Sequence, residues 1–199
     1  MRSKAKRGYI FDLDDTLSIT DGVIHTTEGN LTTAQYAARK PALAENPFRS
    51  IDDDAAAKCE LQRGPCFEKF QKALRDGSSV AIVSARANSK SVERKLVRRL
   101  VRQANVGVSA KRVNSYFVNS QAFARLELCM PDAPTPTKKE AAVGHFLQRH
   151  PRLEKVGFSD DDKANVARMT KYFRKINKNS DIQFSVFTVS KKRIVRERI

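Results

Sequence analysis

Asp12 and Asp14 stand two residues apart, immediately after the apolar run Tyr9-Ile10-Phe11. At the end of an extended strand, residues two apart project to the same side, so both carboxylates face one space while Leu13 points away. Such a pair can divide a reaction between them. One carboxylate attacks phosphorus and helps to hold Mg²⁺; the other gives a proton to the leaving oxygen and later takes one from water. The attack would leave an aspartyl-phosphate. Hard oxygen donors, with room kept for water and a phosphate, select Mg²⁺. A D-x-D-x-T run alone is equally an acidic turn after a strand, so the chemistry depends on what else the chain supplies.

It supplies three more groups, each at the boundary of a predicted element. Ser84 follows the apolar run Val80-Ala81-Ile82-Val83 and offers a hydroxyl to a phosphate oxygen. Lys138 or Lys139, at the start of a helix, can offset charge on a transferring group. Lys139 is preferred, because Ala142, Val143, Phe146 and Leu147 follow it at the spacing of a buried helical face. Asp160 and Asp161 follow Lys155 to Phe158 and complete an oxygen shell for a metal. Each group has an ordinary structural reading: a strand-end cap, a solvated lysine, a helix cap. Their occurrence together, in order, favours one convergent site.

The intervening sequence predicts the scaffold. Gly8–Leu13, Ser79–Val83, Tyr116–Val118, Lys155–Phe158 and Ile182–Val189 read as strands. Helices are predicted over Cys66–Arg75, over 89–104, from a Thr137 cap to about Arg149, and from the Asp160 cluster to about Ile176. Alternating strands and helices predict an α/β fold, a Rossmann-like three-layer sandwich with a mostly parallel sheet. Reactive groups in such sheets lie beyond the carboxyl ends of the strands, where these groups fall. Residues 18–65 break the pattern and read as a small cap or flap insertion in a single 1–199 domain. Within them Val23–Thr26 and Asn30–Thr32 flank Glu28-Gly29 as a hairpin, a short helix is predicted through Arg39, and Asp52–Asp54 read as a solvated turn or a helix start, with a metal role the alternative. The residues after Val189 read as a basic tail.

Thirty-eight Lys+Arg against 22 Asp+Glu give a net charge of +16 and a pI near 10.1. That excess favours a polyanionic partner, since phosphate contacts release condensed counterions. Cys59, Cys66 and Cys129 lack the number and spacing of a disulfide framework or zinc site, and His25, His145 and His150 form no ligand pattern. No apolar run is long enough to span a bilayer, and Met1–Arg7 does not lead into a signal-peptide core. A soluble, cytoplasmic protein with no membrane partner is expected.

The stretch Tyr9 to Leu17 resembles the first motif of the haloacid dehalogenase-like (HAD) superfamily phosphatases. Val80 to Ser84 resembles their second motif, the lysine their third, and Val156 to Asp161, with Asn165 beyond, their acidic fourth. The resemblance implies Asp12 as nucleophile and Asp14 as general acid/base. It implies Ser84 and Lys139 on the phosphate, Mg²⁺ held by Asp12, Asp14, Asp160 and Asp161, and Thr16 and Arg86 as substrate contacts. Ser84-Ala85-Arg86 is similar to the second motif of polynucleotide 3′-phosphatase domains, with Arg86 forking a phosphate. Leu31 to Ala37 is similar to uncharacterised bacteriophage-encoded members, for which the compartment would be the host cytoplasm.

Lys90, Arg94, Lys95, Arg98, Arg99 and Arg102 add a basic helix with only Glu93 opposing. A phosphomonoester on a nucleic-acid end (DNA or RNA), or a nucleotide, is therefore the expected substrate. Two other readings compete. A phosphoacceptor receiver domain would place its phosphorylated aspartate midway along the chain, unlike the order here. A non-enzymatic nucleic-acid-binding or virion-associated protein on the same scaffold would bind without turnover.

Overall fold

The computed structural model describes residues 6–19, 23–26, 29–32, 48–51, 62–87, 90–190 and 193–199. It is an α/β fold built on a six-stranded sheet. Its strands are β1 (Arg7–Phe11), β7 (Ser79–Ser84), β8 (Val113–Phe117), β9 (Lys155–Asp160), β10 (Gln183–Val189) and β11 (Ile194–Arg198). They lie in the order β11-β10-β9-β1-β7-β8, all parallel except β11. The chain starts in the centre, moves outward through β7 and β8, then returns to the other side of β1 for β9 and β10. The direction of progression therefore reverses between β1 and β9, where sheets of this kind open a crevice at the strand ends.

Two helices cover each face. α1 (Phe67–Arg75) and α2 (Lys90–Ala104) pack over β1, β7 and β8, burying Phe70, Leu74, Leu96 and Leu100 against Phe11, Val80 and Ile82. A short helix, α3 (Gln121–Ala124), follows β8. α4 (Thr135–Arg149) and α5 (Lys163–Asn177) pack on the opposite face, where Val143, Phe146, Met169 and Phe173 meet Ile10, Phe158 and Phe184. The inner strands β1 and β7 are apolar on both sides because helices bury both.

Within residues 18–65, β2 (Ser18–Ile19) and β6 (Gln62–Arg63) pair antiparallel where the chain leaves and rejoins the sheet. Between them β3 (Val23–Thr26), β4 (Gly29–Thr32) and β5 (Phe48–Ile51) form a three-stranded antiparallel sheet, with the predicted hairpin closing at Gly29. The helix expected through Arg39, Asp52–Asp54 and Cys59 lie outside the described residues. No helix among the described residues is long and apolar enough to cross a membrane.

Several boundaries differ from the expectations: β1 ends at Phe11 and not at Leu13, and β8 runs from Val113 to Phe117 and not from Tyr116 to Val118. The basic tail is instead the edge strand β11, joined to β10 by a turn in which Ser190 accepts from the Arg193 N–H through its hydroxyl. That turn carries no Gly or Asn to announce it. α4 begins at Thr135 with Pro134 as its flanking residue, so Thr137 sits inside the first turn and caps nothing. Pro136 fits there because first-turn N–H groups have no helical partner in any case. β9 runs on through Asp160, two residues further than predicted.

Candidate active site

Three neighbouring strands end on the same edge of the sheet, and each delivers a polar group there. Asp12 follows β1, and its N–H donates to the Ser159 carbonyl (2.8 Å), which ties it to the neighbouring strand β9. Ser84 ends β7 and Asp160 ends β9. After Asp12 the chain makes a tight loop: Leu17 and Ser18 both donate to the Leu13 carbonyl, and Asp15 takes a left-handed φ of 53°. The loop is clamped from outside. Gly64 and Cys66 donate to the Leu17 and Thr16 carbonyls, and a Cβ on Gly64 would lie 2.6 Å from the Thr16 oxygen. Only glycine permits that approach.

Lys139 reaches into this edge from α4. Its Nζ donates to Asp12 Oδ1 (2.6 Å) and to Asp160 Oδ2 (2.8 Å), with the lysine and both carboxylates buried. Lys138 turns outward to Asn119 Oδ1 (3.0 Å). The remaining oxygen of Asp160 accepts from the Asp162 N–H (3.0 Å) and from Asn165 Nδ2 (3.1 Å). Asp162 serves as the cap of α5, accepting from Ala164 and Asn165 N–H, and so stays out of the cluster. Asn165 orients Asp160. The fourth-motif resemblance had marked its position, but not the atom it would hold.

Asp14 occupies a different corner. Arg86 forks its carboxylate, with Nη2 to Oδ1 at 2.6 Å and Nε to Oδ2 at 3.0 Å, and Ser84 Oγ donates to Oδ2 at 3.4 Å. The Arg86 N–H in turn donates to Ser84 Oγ (3.2 Å). The fork expected to meet a phosphate is thus closed on a carboxylate. Thr16 is fully buried, its hydroxyl donating to Asp161 Oδ1 at 3.4 Å. The expected residues Asp12, Asp14, Thr16, Ser84, Arg86, Lys139, Asp160 and Asp161 all meet at this edge.

Electrostatics set what the cluster can hold. Asp12, Asp160 and Asp161 present ligand atoms within 4.8 Å of one another. Burial pushes the Asp12 carboxyl well above the usual carboxylate range; Lys139 opposes the rise, while Asp160, Asp14 and Asp161 add to it. Asp161 is pushed up to about 7, first by burial and then by Asp160. For Lys139, burial favours the neutral amine, but Asp12 and Asp160 overcome it and keep it an ammonium. The raised Asp12 and Asp161 carboxyls show a cluster short of positive charge; fully ionised, three carboxylates facing one ammonium would leave two negative charges, the complement of a divalent cation. The donor set, all oxygen, fits a hard one.

No protein-family model matches the chain, and no curated protein matches it. Among solved structures it is similar to the HAD domain of the effector protein Lem4 from Legionella pneumophila. Identity is 15% and the TM-score 0.42, over 91% of this chain and 85% of that one. An inactive mutant of the same domain gives 13% identity and a TM-score of 0.43, over 91% and 84%.

Proposed function

We propose that the protein is a metal-dependent phosphohydrolase of the HAD type, working on a phosphomonoester through an aspartyl-phosphate on Asp12. One observation carries the reading: Lys139, buried in α4, bridges the carboxylates that end two adjacent strands. Burying three charges is costly unless their positions matter. Phosphoryl transfer needs this array, with a nucleophile, a fixed positive charge and a cation site converging on one phosphorus.

Asp12, Asp160 and Asp161 would hold the cation, with Mg²⁺ the natural choice; when bound it screens the nucleophile from the phosphate's charge and polarises the phosphoryl oxygens. An Asp12 oxygen attacks phosphorus in line, and the bond from phosphorus to the ester oxygen breaks. Lys139 faces the nucleophile and neutralises charge gathering on the phosphoryl oxygens. Ser84, at the end of β7, donates its hydroxyl to one of them. Asp14 gives the proton that the leaving alcohol takes up. It then removes a proton from the water that attacks the aspartyl-phosphate, returning Asp12 and releasing orthophosphate. Arg86 restrains Asp14 in the free protein and turns to the phosphate as it enters, which frees Asp14 to move protons. The net charge of +16 supports a substrate on a nucleic-acid end or a nucleotide.

The test is phosphate release from an aryl phosphate and from 3′- and 5′-phosphorylated oligonucleotides, with and without Mg²⁺. Release that requires Mg²⁺ and falls by roughly 10⁴-fold in Asp12→Asn is the expected result. Equal release by Asp12→Asn would overturn the assignment. Salt-sensitive oligonucleotide binding without turnover would favour a binding protein on this scaffold.

A further inference from the structure

The helices leave part of the sheet open. α1 and α2 lie over β1, β7 and β8, and among the described residues no helix packs on that same face of β9, β10 and β11. The register shows which side chains stand there. Tyr9, Gly157, Ser185 and Arg198 form one row across four strands; Ser159, Phe187 and Arg196 form the next, toward the catalytic edge. Small residues occupy the middle of the rows, so the face sinks into a trough of about 350 Å³. Arg7 and Lys155 line one end, Lys69 and Arg196 the other, and among the described residues no carboxylate lines it. Glu197, the acidic residue of β11, alternates to the opposite side and pairs with Arg174.

Lys69 is the unusual member. It projects from α1 with its Nζ 3.0 Å from the centre of the Phe187 ring, buried and without a hydrogen-bond partner among the described residues. An ammonium held against a ring rather than by water or a carboxylate is weakly satisfied. The site already described makes no use of it, and a four-carbon stem lets it swing into the trough. Arg196, exposed on β11, lies above the same ring and bends back to Ser185 Oγ (2.9 Å). Lys155 and Phe187 stand four register positions apart, about 13 Å along the strands. The cations are therefore spread along the trough and not gathered at one point.

We propose that this trough is a second, non-catalytic surface that binds the sugar–phosphate backbone of a single-stranded nucleic acid. Charge complementarity commits it to a polyanion: among the described residues five cations line it and no acidic group does. The spacing suits successive phosphates of one strand. Lys69 stands over one face of the Phe187 ring, and the contacts proposed are to phosphates rather than bases, so binding is independent of sequence. The inference deepens the substrate class given above and rests on it, but it does not require Asp12 to turn over.

The experiment is fluorescence anisotropy with the full chain and a labelled single-stranded oligonucleotide that carries no terminal phosphate, in the absence of Mg²⁺ and over a range of salt. Arg196→Gln/Arg198→Gln and, separately, Lys69→Met are compared with Arg94→Gln/Arg98→Gln on the exposed face of α2. The trough arginine pair should weaken binding by about tenfold or more and flatten the log–log salt slope by about 1.4, at roughly 0.7 per lost phosphate contact. Lys69→Met should weaken it in the same direction, and the α2 pair should do neither. Aryl phosphate hydrolysis should be unchanged in the trough variants. Wild-type affinity and slope in both trough variants, loss confined to the α2 pair, or tighter binding of duplex than of single strand would each overturn the proposal. Binding that depends on the trough in a protein that hydrolyses nothing would uphold it while sinking the phosphohydrolase reading. Hydrolysis without strand binding would do the reverse.

Discussion

Lys139, buried, and Lys69, half-buried with a shielded amine, are lysines in opposite circumstances, and the contrast shows how burial alone does not set a charge. Lys139 loses water but gains two carboxylates, so its proton is held more firmly than in solution. Lys69 loses water and gains only a ring, so its amine falls to about 8. Burial is the main cause, Arg196 adds to the fall and Cys66 opposes it. The groups facing the amine are Cys66 ahead of α1, Tyr9 on β1, and Phe187 and Arg196 on the outer strands. A lysine whose folded pKa is depressed costs stability wherever both states are protonated, below about pH 8. Between there and the unfolded value near 10.5 the native chain sheds its proton first, and the cost fades as pH rises. Lys69→Met should therefore be more stable than wild type at pH 7, on the order of 2 kcal/mol, with the gap closing toward pH 10. Denaturant unfolding of both proteins at the two pH values checks this. An equal gap at both would mean that the charge is not what Lys69 costs.

At the scale of elements, the site depends on strand ends held in register and on one loop held shut. The loop after β1 places Asp12 inward and Asp14 toward Ser84, and its shape is kept by the chain that returns through β6 to α1. Gly64 is the contact point: a methyl group there would meet the Thr16 carbonyl at 2.6 Å and the Leu17 backbone at 2.7 Å. Backbone cannot yield as a side-chain tip can. Gly64→Ala should cost about 2 kcal/mol or more and reduce turnover beyond what the stability loss explains, because the loop itself must move. Thermal unfolding alongside saturating kinetics separates the two effects, and wild-type values for both would show that the clamp is slack.

The same elements explain what the sequence made legible. Each strand that ends in the site announced itself as an apolar run meeting a polar group, because burial on both faces leaves no alternation and chemistry starts where burial stops. Lys139 could be preferred over Lys138 from helical spacing alone, since the neighbouring apolar positions fix which face turns inward. Other features depend on partners distant in sequence. Glu93 reads as a charge opposing a basic helix, yet it is buried and accepts from Lys90 and from Ser115 on β8. The pairing of Arg86 with Asp14 spans 72 residues. The β11 edge strand carries five exposed residues, so no apolar period marks it.

Over the whole molecule, the doubly wound sheet and the charge balance act together. Reversal of strand order at β1 and β9 opens the crevice in which Asp12 and Asp160 meet, and helices on both faces bury what supports them. The excess of Lys and Arg is spread over exposed faces, so phosphate is attracted broadly while the carboxylate cluster gathers at one edge. Whether that edge performs covalent chemistry is the central claim. The most direct measurement is a single turnover with a labelled phosphomonoester and Mg²⁺, quenched in acid, with the protein examined for bound phosphate. Alkali-labile label on Asp12 is expected in the wild-type protein, and none in Asp12→Asn. Product formation with no protein-bound label at any time, and undiminished in Asp12→Asn, would contradict it.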